Sequence, residues 1–376
     1  MVRASRTDWL RHRFVVHDLH RGPGELSGVD DLALLDAGVQ ETGPDGARWA
    51  MVARGLELSP EQFEHDCFLA WTLRGAPHAY RRSDRAAVTV ATSPFSEADA
   101  SKRIFDAASA LKKAGLPVLD GLERITDELR DIVRTPMTKG EVSTEISARL
   151  GGPFVRNCVP CKAVHIYEQS FRYSVLQAGL ELAPDTSPPV LRRFPRARPA
   201  RYSHSGAEAD ARFDVVRNSL RFNGPERPAD TAVFVDSLQK SVKDDWPEDA
   251  VVAEISDVGS SPTLFSVGDL RDGPTERTVR VLGPYDPFLQ LRHRELLVPD
   301  PARRKDLWRV IGRPGAIVAD GEIIATWRPK TASGRLTIRL DPWQRLTKAD
   351  RAAIGEQSER LAAHRGVSLT AVVDDA

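Results

Sequence analysis

Two uncharged hydrogen-bonding side chains stand near the start of the chain, in the segment AGVQETGPDGARW at residues 37–49. Gln40 and Thr42 are two residues apart, so their side chains diverge by about 200° on a helix but share one side of an extended backbone. Because Gly43-Pro44 interrupts a helix, we expect the two side chains to converge on one site. The alternative is that Thr42 caps a helix that begins near Asp45, while Gln40 is an ordinary surface residue.

Two thiols and an imidazole form a second candidate, in the segment CVPCKAVH. Cys158 and Cys161 have the C-x-x-C spacing of zinc ligands, and His165 follows four residues later. A structural zinc site uses four ligands, however, and Cys67 is the one other cysteine of the sequence. Haem attachment requires the histidine directly after the second cysteine, where Lys162 stands. We therefore predict neither a metal nor a cofactor.

Cationic and aromatic side chains that can bind nucleic acid occur at two further places. Arg74 and His78 flank the Gly-Ala-Pro turn of RGAPH, from which they can reach a phosphate or a groove. Trp327 and Arg328 stand in ATWRPK, where they can stack on bases and neutralise phosphate. The alternatives are a solvated turn in the first case and a tryptophan that covers a small core in the second.

Composition restricts the class of protein. With 376 residues, 41% of them hydrophobic and 28% charged, the sequence is typical of a soluble globular protein of about two to four domains. It has no apolar run of roughly 18 residues that would span a bilayer, and its N-terminus lacks the apolar core of a signal peptide. Three cysteines do not suggest a disulfide framework. We therefore expect a cytoplasmic protein that contacts no membrane.

The charges are unevenly spread although the net charge is +0. Arginine is concentrated at residues 191–204 and 291–309, and acidic residues gather in KDDWPEDAVVAEISD. This segregation permits one positive face on a neutral molecule. The sequence lacks a Walker loop, a dinucleotide fingerprint and a Gly-x-Ser-x-Gly elbow, which argues against nucleotide hydrolysis, redox chemistry and acyl transfer.

The sequence suggests several structural units, and the second of them has the clearest pattern of helices and strands. Thr138 and Glu141 have capping-box spacing at the start of a helix that Gly151-Gly152 ends. A second helix is predicted over residues 162–178, with Val164, Tyr167, Phe171 and Val175 on its buried face. Lys162, His165, Gln169 and Arg172 then point outward. A strand follows, and two helices, a turn and a strand are the order of a winged helix-turn-helix.

A similar order of helices and strands is predicted before and after this unit. Helices are predicted at residues 7–17, 27–38 and 45–54, with a β-hairpin over 67–82. The segment from Ala211 gives a helix, a Gly-Pro turn, a second helix and the strand VVAEI. The tail reads as three strands separated by Asp320-Gly321 and Ser333-Gly334, followed by a helix that ends near Gly366.

We therefore predict an α+β fold of three tandem winged helix-turn-helix units with a β-rich C-terminal element. The first unit spans residues 1–95, the second 96–183, a Pro- and Arg-rich linker 184–210, the third unit 211–280, and the β-rich domain with its closing helix 281–376.

Five segments occur in the order expected of one family: AGVQETGPDGARWAMVARG, LRGAPHAYRRSD, KAVHIYEQSFRYSVLQAGLEL, GPYDPFLQLRHRELLVPD and ADGEIIATWRPK. On these segments the chain resembles the bacterial winged-helix DNA glycosylases of the azinomycin-resistance and crosslink-repair type, over nearly its whole length. The resemblance implies three winged helices and a β-rich element wrapped around duplex DNA. It also implies hydrolysis of the N-glycosidic bond of N7-alkylated purines.

The catalytic signature of that family is Gln-x-Gln or Gln-x-Asp in the first winged helix, and it falls on Gln40 and Thr42. Gln40 matches the signature and Thr42 departs from it. By resemblance Gln40 positions the attacking water and Thr42 assists, although a threonine hydroxyl is short and uncharged. The residues expected to hold DNA are Arg74, His78, Lys162, Gln169, Arg172, Trp327 and Arg328. The expected partner is alkylated double-stranded DNA, bound by a monomer.

Two other functions stay open at this point. The threonine at position 42 and the neutral net charge also suit a non-catalytic winged-helix DNA-binding protein or regulator. In that case Gln169 and Arg172 would read base edges in the major groove. A structural protein whose tandem winged helices bind protein partners is the third alternative.

Overall fold

The computed structural model describes residues 1–43, 46–258 and 262–374 of the chain. These residues form a mixed α+β fold, as the sequence predicts. Asp45, the predicted start of one helix, lies outside the described residues together with Pro44. None of the helices in the described ranges combines the length and the apolarity that a bilayer crossing requires.

The helices are α1 (Arg6–Val16), α2 (Ala47–Val52), α3 (Pro60–Asp66), α4 (Arg85–Ala91), α5 (Glu97–Arg103), α6 (Phe105–Lys113), α7 (Val118–Ile132), α8 (Lys139–Leu150), α9 (Glu168–Gln177), α10 (Val215–Asn223), α11 (Pro228–Val235), α12 (Gln239–Asp244), α13 (Arg294–Leu297), α14 (Pro301–Leu307) and α15 (Lys348–His364). The strands are β1 (Val2–Ala4), β2 (Val39–Gln40), β3 (Cys67–Trp71), β4 (Pro77–Arg81), β5 (Met137–Thr138), β6 (Val155–Cys158), β7 (Ala163–Ile166), β8 (Leu180–Leu182), β9 (Val190–Arg193), β10 (Val251–Ile255), β11 (Leu264–Ser266), β12 (Val279–Leu282), β13 (Gly315–Ala319), β14 (Glu322–Ala332), β15 (Arg335–Pro342) and β16 (Ser368–Asp374).

The largest sheet among the described residues has six strands in the order β2-β4-β3-β8-β9-β5. β3 has the sequence CFLAW and is buried at every residue, so it suits an interior place in the sheet, between β4 and β8. Leu69 of β3 pairs with Leu182 of β8. The predicted first and second units therefore share one sheet, and β2, which carries Gln40, is its edge strand.

The N-terminal segment packs away from this sheet. β1 runs parallel to β10 in a second sheet that β11 completes. Trp9, Leu10 and Phe14 of α1 are buried in the same apolar core as the C-terminal strands. Residues 2–16 thus complete the predicted third unit and the C-terminal domain, in contrast to their predicted place in the first unit.

The C-terminal sheet has the order β12-β13-β14-β15-β16 and packs against α15. The predicted turns are confirmed, because Asp320-Gly321 and Ser333-Gly334 join its strands with positive φ at all four residues. Such φ values suit a two-residue hairpin connection. β16, which pairs parallel to β15 beyond the closing helix, was not predicted.

Three local predictions are wrong. Residues 27–38 form two short 3₁₀ turns at Val29–Asp31 and Ala33–Asp36 instead of a helix. The predicted linker contains β9, because residues 190–193 complete a ladder between β8 and β5. The helix predicted over residues 162–178 begins only at Glu168, since residues 163–166 pair with β6. Val164 is 61% exposed as a result.

A buried carboxyl in the third unit gives a pH prediction. Glu226 lies in a backbone bridge with Phe265 and accepts hydrogen bonds from Ser219 Oγ at 2.5 Å and Thr231 Oγ1 at 2.7 Å. Burial raises the pKa of Glu226 from 4.5 to about 7. The folded chain therefore binds this proton more tightly than the unfolded chain, and its stability falls as the pH rises from about 4.5 to about 7.

Glu226→Gln should remove this loss of stability at rising pH. The quantity of interest is the free energy of unfolding of the variant minus that of wild type. We expect this difference to be about 3 kcal/mol larger at pH 8 than at pH 4.5. Urea denaturation at several pH values measures the two free energies. Glu248→Gln, at an exposed position, is the control and should keep the wild-type slope. Parallel pH profiles for wild type and Glu226→Gln would contradict the prediction.

Candidate active site

Gln40 is the last residue of β2, where the backbone is extended. It pairs with His78 of β4, and Glu41 continues the ladder by donating its N–H to the Pro77 carbonyl at 2.8 Å. Directly opposed residues of antiparallel strands place their side chains on the same face of the sheet. Gln40 and His78 therefore face one cavity, and the side chain of Glu41 points away from it.

The side chains of Gln40 and Thr42 meet, as expected for an extended backbone. Gln40 Nε2 donates to Thr42 Oγ1 at 2.9 Å. On its other side, Arg74 Nη2 approaches Gln40 Oε1 at 3.4 Å. The amide is thus oriented by a hydroxyl on its nitrogen and by a cation on its oxygen.

Glu41 caps the start of the following helix. Glu41 Oε2 accepts the N–H of Ala47, the first residue of α2, at 2.6 Å. Gly46 leaves room for this contact, since a Cβ there would collide with the carboxylate of Glu41. Burial raises the pKa of Glu41 to about 6. Glu41 therefore binds the first N–H of α2, while Thr42 contacts Gln40. The alternative that Thr42 caps a helix from Asp45 involves a residue outside the described ranges.

The cavity beside Gln40 has a volume of about 20 Å³. Its lining comes from three parts of the chain: Leu34, Ala37, Gly38, Gln40, Arg74 and His78; then Asn218, Phe222, Asn223 and Phe234; then Pro287 and Gln290. This is the space that about one water molecule needs, and it is too small for a purine. The cavity can therefore hold a water molecule but not an extruded base.

Arg74 is held at this cavity by contacts with a distant segment. Its φ of 59° turns the chain between β3 and β4, and its guanidinium stacks on the ring of Phe234 at 4.7 Å. Nη1 also donates to the Phe234 carbonyl. Burial lowers the pKa of Arg74 to about 10, so the side chain stays charged at neutral pH. Arg74 thereby connects Gln40 to α11.

His78 does not reach the surface, which corrects the prediction that it contacts phosphate. It is 3% exposed, and its Nδ1 lies 3.1 Å from Thr72 Oγ1 and 2.9 Å from the Ala76 carbonyl. Burial, followed by the charge of Arg74, lowers the pKa of His78 to about 3. The ring is neutral at neutral pH and forms part of the cavity wall.

Arg172 and Gln169 support the turn that carries Arg74. Arg172 Nη1 donates to the Gly75 carbonyl at 2.8 Å, and its guanidinium stacks on Trp71 at 5.3 Å. Gln169 packs beneath Gly75, where φ is 65° and a Cβ would collide with Gln169 Oε1. Both side chains are half-buried. They hold protein backbone in this conformation, in contrast to their predicted outward direction.

The remaining predicted DNA contacts are dispersed. Lys162 is exposed in the connection between β6 and β7. Arg328 forms an ion pair with Asp306, in which Nη2 donates to both carboxylate oxygens at 2.9 Å. Trp327 is 1% exposed and donates Nε1 to the Leu282 carbonyl at 2.9 Å. The predicted stacking of Trp327 on bases is therefore wrong, because the core encloses the ring, as the alternative supposed.

An arginine-rich cleft of about 760 Å³ was missed as a site, although the sequence shows its arginine cluster. Its cationic lining residues are Arg292, Arg294, Arg304, Lys305 and Arg309. The chain leads from the cavity to the cleft within two residues, because Gln290 lines the cavity and Arg292 lines the cleft. Val310 in the cleft wall and the adjacent Ile311 are 92% and 86% exposed.

The structure brings together the two thiols and the imidazole of the candidate cluster, Cys158, Cys161 and His165. Candidate ligand atoms of Cys158, Cys161 and His165 all lie within 4.8 Å of one another, on the hairpin of β6 and β7. No fourth histidine, cysteine or carboxylate of the described ranges belongs to the group.

Comparison with known proteins extends these observations. A family model described as DNA glycosylase AlkZ-like matches residues 29–364. The structure of the Streptomyces sahachiroi DNA glycosylase AlkZ is similar to this chain with a TM-score of 0.69 and 14% sequence identity, and the match covers 100% of both chains. At that identity the likeness concerns the fold. A search of curated proteins gives no match.

Proposed function

The chain belongs to the AlkZ-like DNA glycosylase family, and from this premise we propose that it hydrolyses the N-glycosidic bond of N7-alkylated purines in duplex DNA, with Gln40 positioning the attacking water. It is a hydrolase of alkylated DNA and acts in DNA repair. The observation that supports this choice of site is the meeting of Gln40, Thr42 and Arg74 beside a cavity of one water's size.

The chemistry of the substrate suits a site without a general acid. An N7-alkylated purine carries a positive charge, so its glycosidic bond is already weakened and the base can leave as a neutral molecule without an acid. The enzyme has to hold a water molecule beneath C1′ and stabilise an oxocarbenium-like sugar, by analogy with other glycosyl transfer. A neutral amide can orient that water without deprotonating it.

The hydrogen bonds of Gln40 define how it would act. Its Nε2 donates to Thr42 Oγ1, so the amide nitrogen is already engaged. Its Oε1 has a long 3.4 Å contact from Arg74 and keeps the capacity to accept a hydrogen bond from water. Thr42 accepts from Gln40 with its oxygen and keeps its own O–H as a donor. Arg74 is a positioning residue that fixes the amide.

We further propose that the DNA backbone lies against the arginine-rich cleft lined by Arg292, Arg294, Arg304, Lys305 and Arg309. Arginine and lysine neutralise phosphates without reading sequence, as binding to damage in any sequence requires. The short step along the chain from Gln290 of the cavity to Arg292 of the cleft supports continuity between the two. Lys162 and Arg328 remain proposed contacts beyond it, and Arg172 and Gln169 act through the turn they support.

The element order supports three winged helices. In the first, β2 precedes α2, α3 and the hairpin of β3 and β4; in the second, β5 precedes α8, α9 and the hairpin of β8 and β9. The sheet order β2-β4-β3-β8-β9-β5 is that of two such units joined back to back. In the third, the Glu226–Phe265 bridge takes the place of the first strand before α11, α12, β10 and β11.

Family membership does not favour a regulator that lacks catalysis. We retain the proposal that the chain acts as a monomer. We also retain the proposal that base release needs no cofactor, because the cationic leaving group already supplies the driving force that an acid or a metal would otherwise provide.

Substitutions of Thr42 test whether a threonine at this position of the family signature assists base release. Thr42→Ala removes the partner of Gln40 Nε2 and should slow base release by about tenfold, a typical loss for one supporting hydrogen bond. Thr42→Asp keeps an acceptor for Nε2 and adds a negative charge near the developing sugar cation, so it should react at least as fast as wild type. Single-turnover rates measure both changes. A Thr42→Ala rate equal to wild type would exclude an assisting role for the hydroxyl.

The proposed function is tested by its products. Wild-type protein incubated with a duplex that contains N7-methylguanine should release free 7-methylguanine and leave an uncleaved strand with an abasic site. A duplex with guanine at the same position is the matched control and should release no base. Failure to release base above the spontaneous rate would contradict the proposal.

A further inference from the structure

The hairpin of β6 and β7 brings three metal-binding side chains to one point. Cys158 ends β6 and pairs with Ala163, and His165 lies two residues further along β7. Alternate residues of a strand share a face, so Cys158 and His165 stand on the same side of the hairpin. Cys161 lies in the four-residue connection and brings the second sulfur to within 4.8 Å of the other two candidate ligand atoms.

The donor set suits zinc. Two sulfurs and one imidazole nitrogen are the ligands that Zn²⁺ takes, and the C-x-x-C spacing at a hairpin tip is typical of zinc-binding turns. The imidazole is already oriented, because His165 Nδ1 lies 2.7 Å from the Ile166 carbonyl and can donate to it. That arrangement leaves Nε2 as the candidate ligand atom, and metal-bound histidines commonly anchor their second ring nitrogen in this way.

Residues 159–164, at the tip of the hairpin, are exposed. Among the described residues, β6 and β7 form a two-stranded sheet that joins none of the larger sheets, and such hairpins are marginally stable in water. Its base is attached, since Ile166 is 2% exposed and donates its N–H to Ser147 Oγ at 2.8 Å. Near the tip, Val159 is 81% exposed and Val164 is 61% exposed. Apolar burial therefore does not fix the tip, and a crosslink would.

We propose that Cys158, Cys161 and His165 bind one Zn²⁺, with a water molecule as the fourth ligand, and that the ion orders this hairpin. The sequence-based expectation of no metal rested on a need for four protein ligands, which a site open to water does not have. The ion would also fix the backbone of Lys162, next to Cys161. That consequence rests on the proposed function, because Lys162 is one of the proposed DNA contacts.

A cobalt titration tests the site without DNA, so its outcome is independent of the proposed function. The full chain is treated with chelator and reductant and then titrated with Co²⁺. Wild type should bind about one equivalent and show thiolate-to-cobalt absorption with the intense visible bands of tetrahedral coordination, and Zn²⁺ should abolish both. Cys161→Ser and His165→Ala should weaken Co²⁺ binding by at least about tenfold, as expected for loss of one ligand.

Two variants serve as matched controls. Cys67→Ala removes a buried thiol outside the cluster, and Lys162→Ala alters the same hairpin without removing a ligand. Both should bind cobalt as wild type does. Hydrogen exchange provides a second readout: Zn²⁺ should slow exchange of residues 155–166 in wild type and in both controls, but not in Cys161→Ser.

Each other outcome would overturn the proposal. Absence of tetrahedral cobalt bands in the reduced wild type would do so. So would equal binding by Cys161→Ser and wild type, or binding that leaves exchange of the hairpin unchanged. If Cys158 and Cys161 form a disulfide once the reductant is removed, and Zn²⁺ does not prevent it, the pair would be assigned to redox chemistry instead.

Discussion

Replacing Gln40 with alanine is expected to slow base release by about 10²- to 10³-fold, the usual cost of removing one positioned polar group from an active site. The substitution removes the amide whose oxygen would hold the water and leaves β2 in place, because its backbone pairing with His78 does not involve the side chain. Affinity for the damaged duplex should change little. The loss should therefore appear in the single-turnover rate at saturating protein and not in Kd.

Glu41→Gln is the matched control for this experiment. It alters the neighbouring residue and keeps an oxygen that can accept the Ala47 N–H. Because Glu41 points away from the cavity, base release by this variant should stay within about threefold of wild type. If Gln40→Ala and Glu41→Gln react at the same rate, water positioning by Gln40 is excluded.

Asp286→Ala is expected to destabilise the fold by about 3–5 kcal/mol, the cost of leaving a buried charge without its partner. Asp286 forms a bidentate pair with Arg54, with both contacts at 2.8 Å and side-chain exposures of 1% and 0%. Removal of the carboxylate strands the guanidinium inside the protein. The pair also joins the end of α2 to the segment that supplies Pro287 and Gln290 to the cavity. Denaturation by urea measures the loss.

An exposed ion pair provides the comparison. Arg217 and Asp249 form a similar bidentate contact at 2.6 and 2.7 Å, but their side chains are 33% and 56% exposed. Asp249→Ala should therefore cost less than about 1 kcal/mol, since exposed pairs contribute little. A loss of that small size for Asp286→Ala would show that the buried pair contributes no more to stability than an exposed one.

Local signals in the sequence predicted much of the secondary structure. The capping box of Thr138 and Glu141 begins α8, and Gly151 ends it with a φ of 57°. The Gly-Ala-Pro turn separates β3 from β4 at the predicted place. These features depend on side chains within a few residues of one another, so the sequence of one segment determines them. The extended backbone at Gln40 belongs to the same class.

Contacts between distant segments could not be predicted in the same way. Arg74 binds the Phe234 carbonyl across 160 positions of sequence, and no periodicity near either residue indicates this. The burial of Trp327 likewise depends on Leu282 of a separate strand. The union of β3 with β8 and the addition of β1 to β10 are pairings of distant strands. Which candidate residues are exposed to DNA therefore emerged only from the packing.

We propose that Gln40 and Thr42 face the sugar of the damaged nucleotide. The most direct measurement is a structure of the protein with a duplex in which a cationic azasugar, a mimic of the oxocarbenium-like sugar, replaces the damaged nucleoside. The predicted result is an azasugar at the cavity, with one water molecule between its C1′ position and Gln40 Oε1, at hydrogen-bond distances of about 2.6–3.2 Å. An azasugar on another surface, beyond the reach of one bridging water from Gln40, would contradict the proposed role of Gln40 and Thr42.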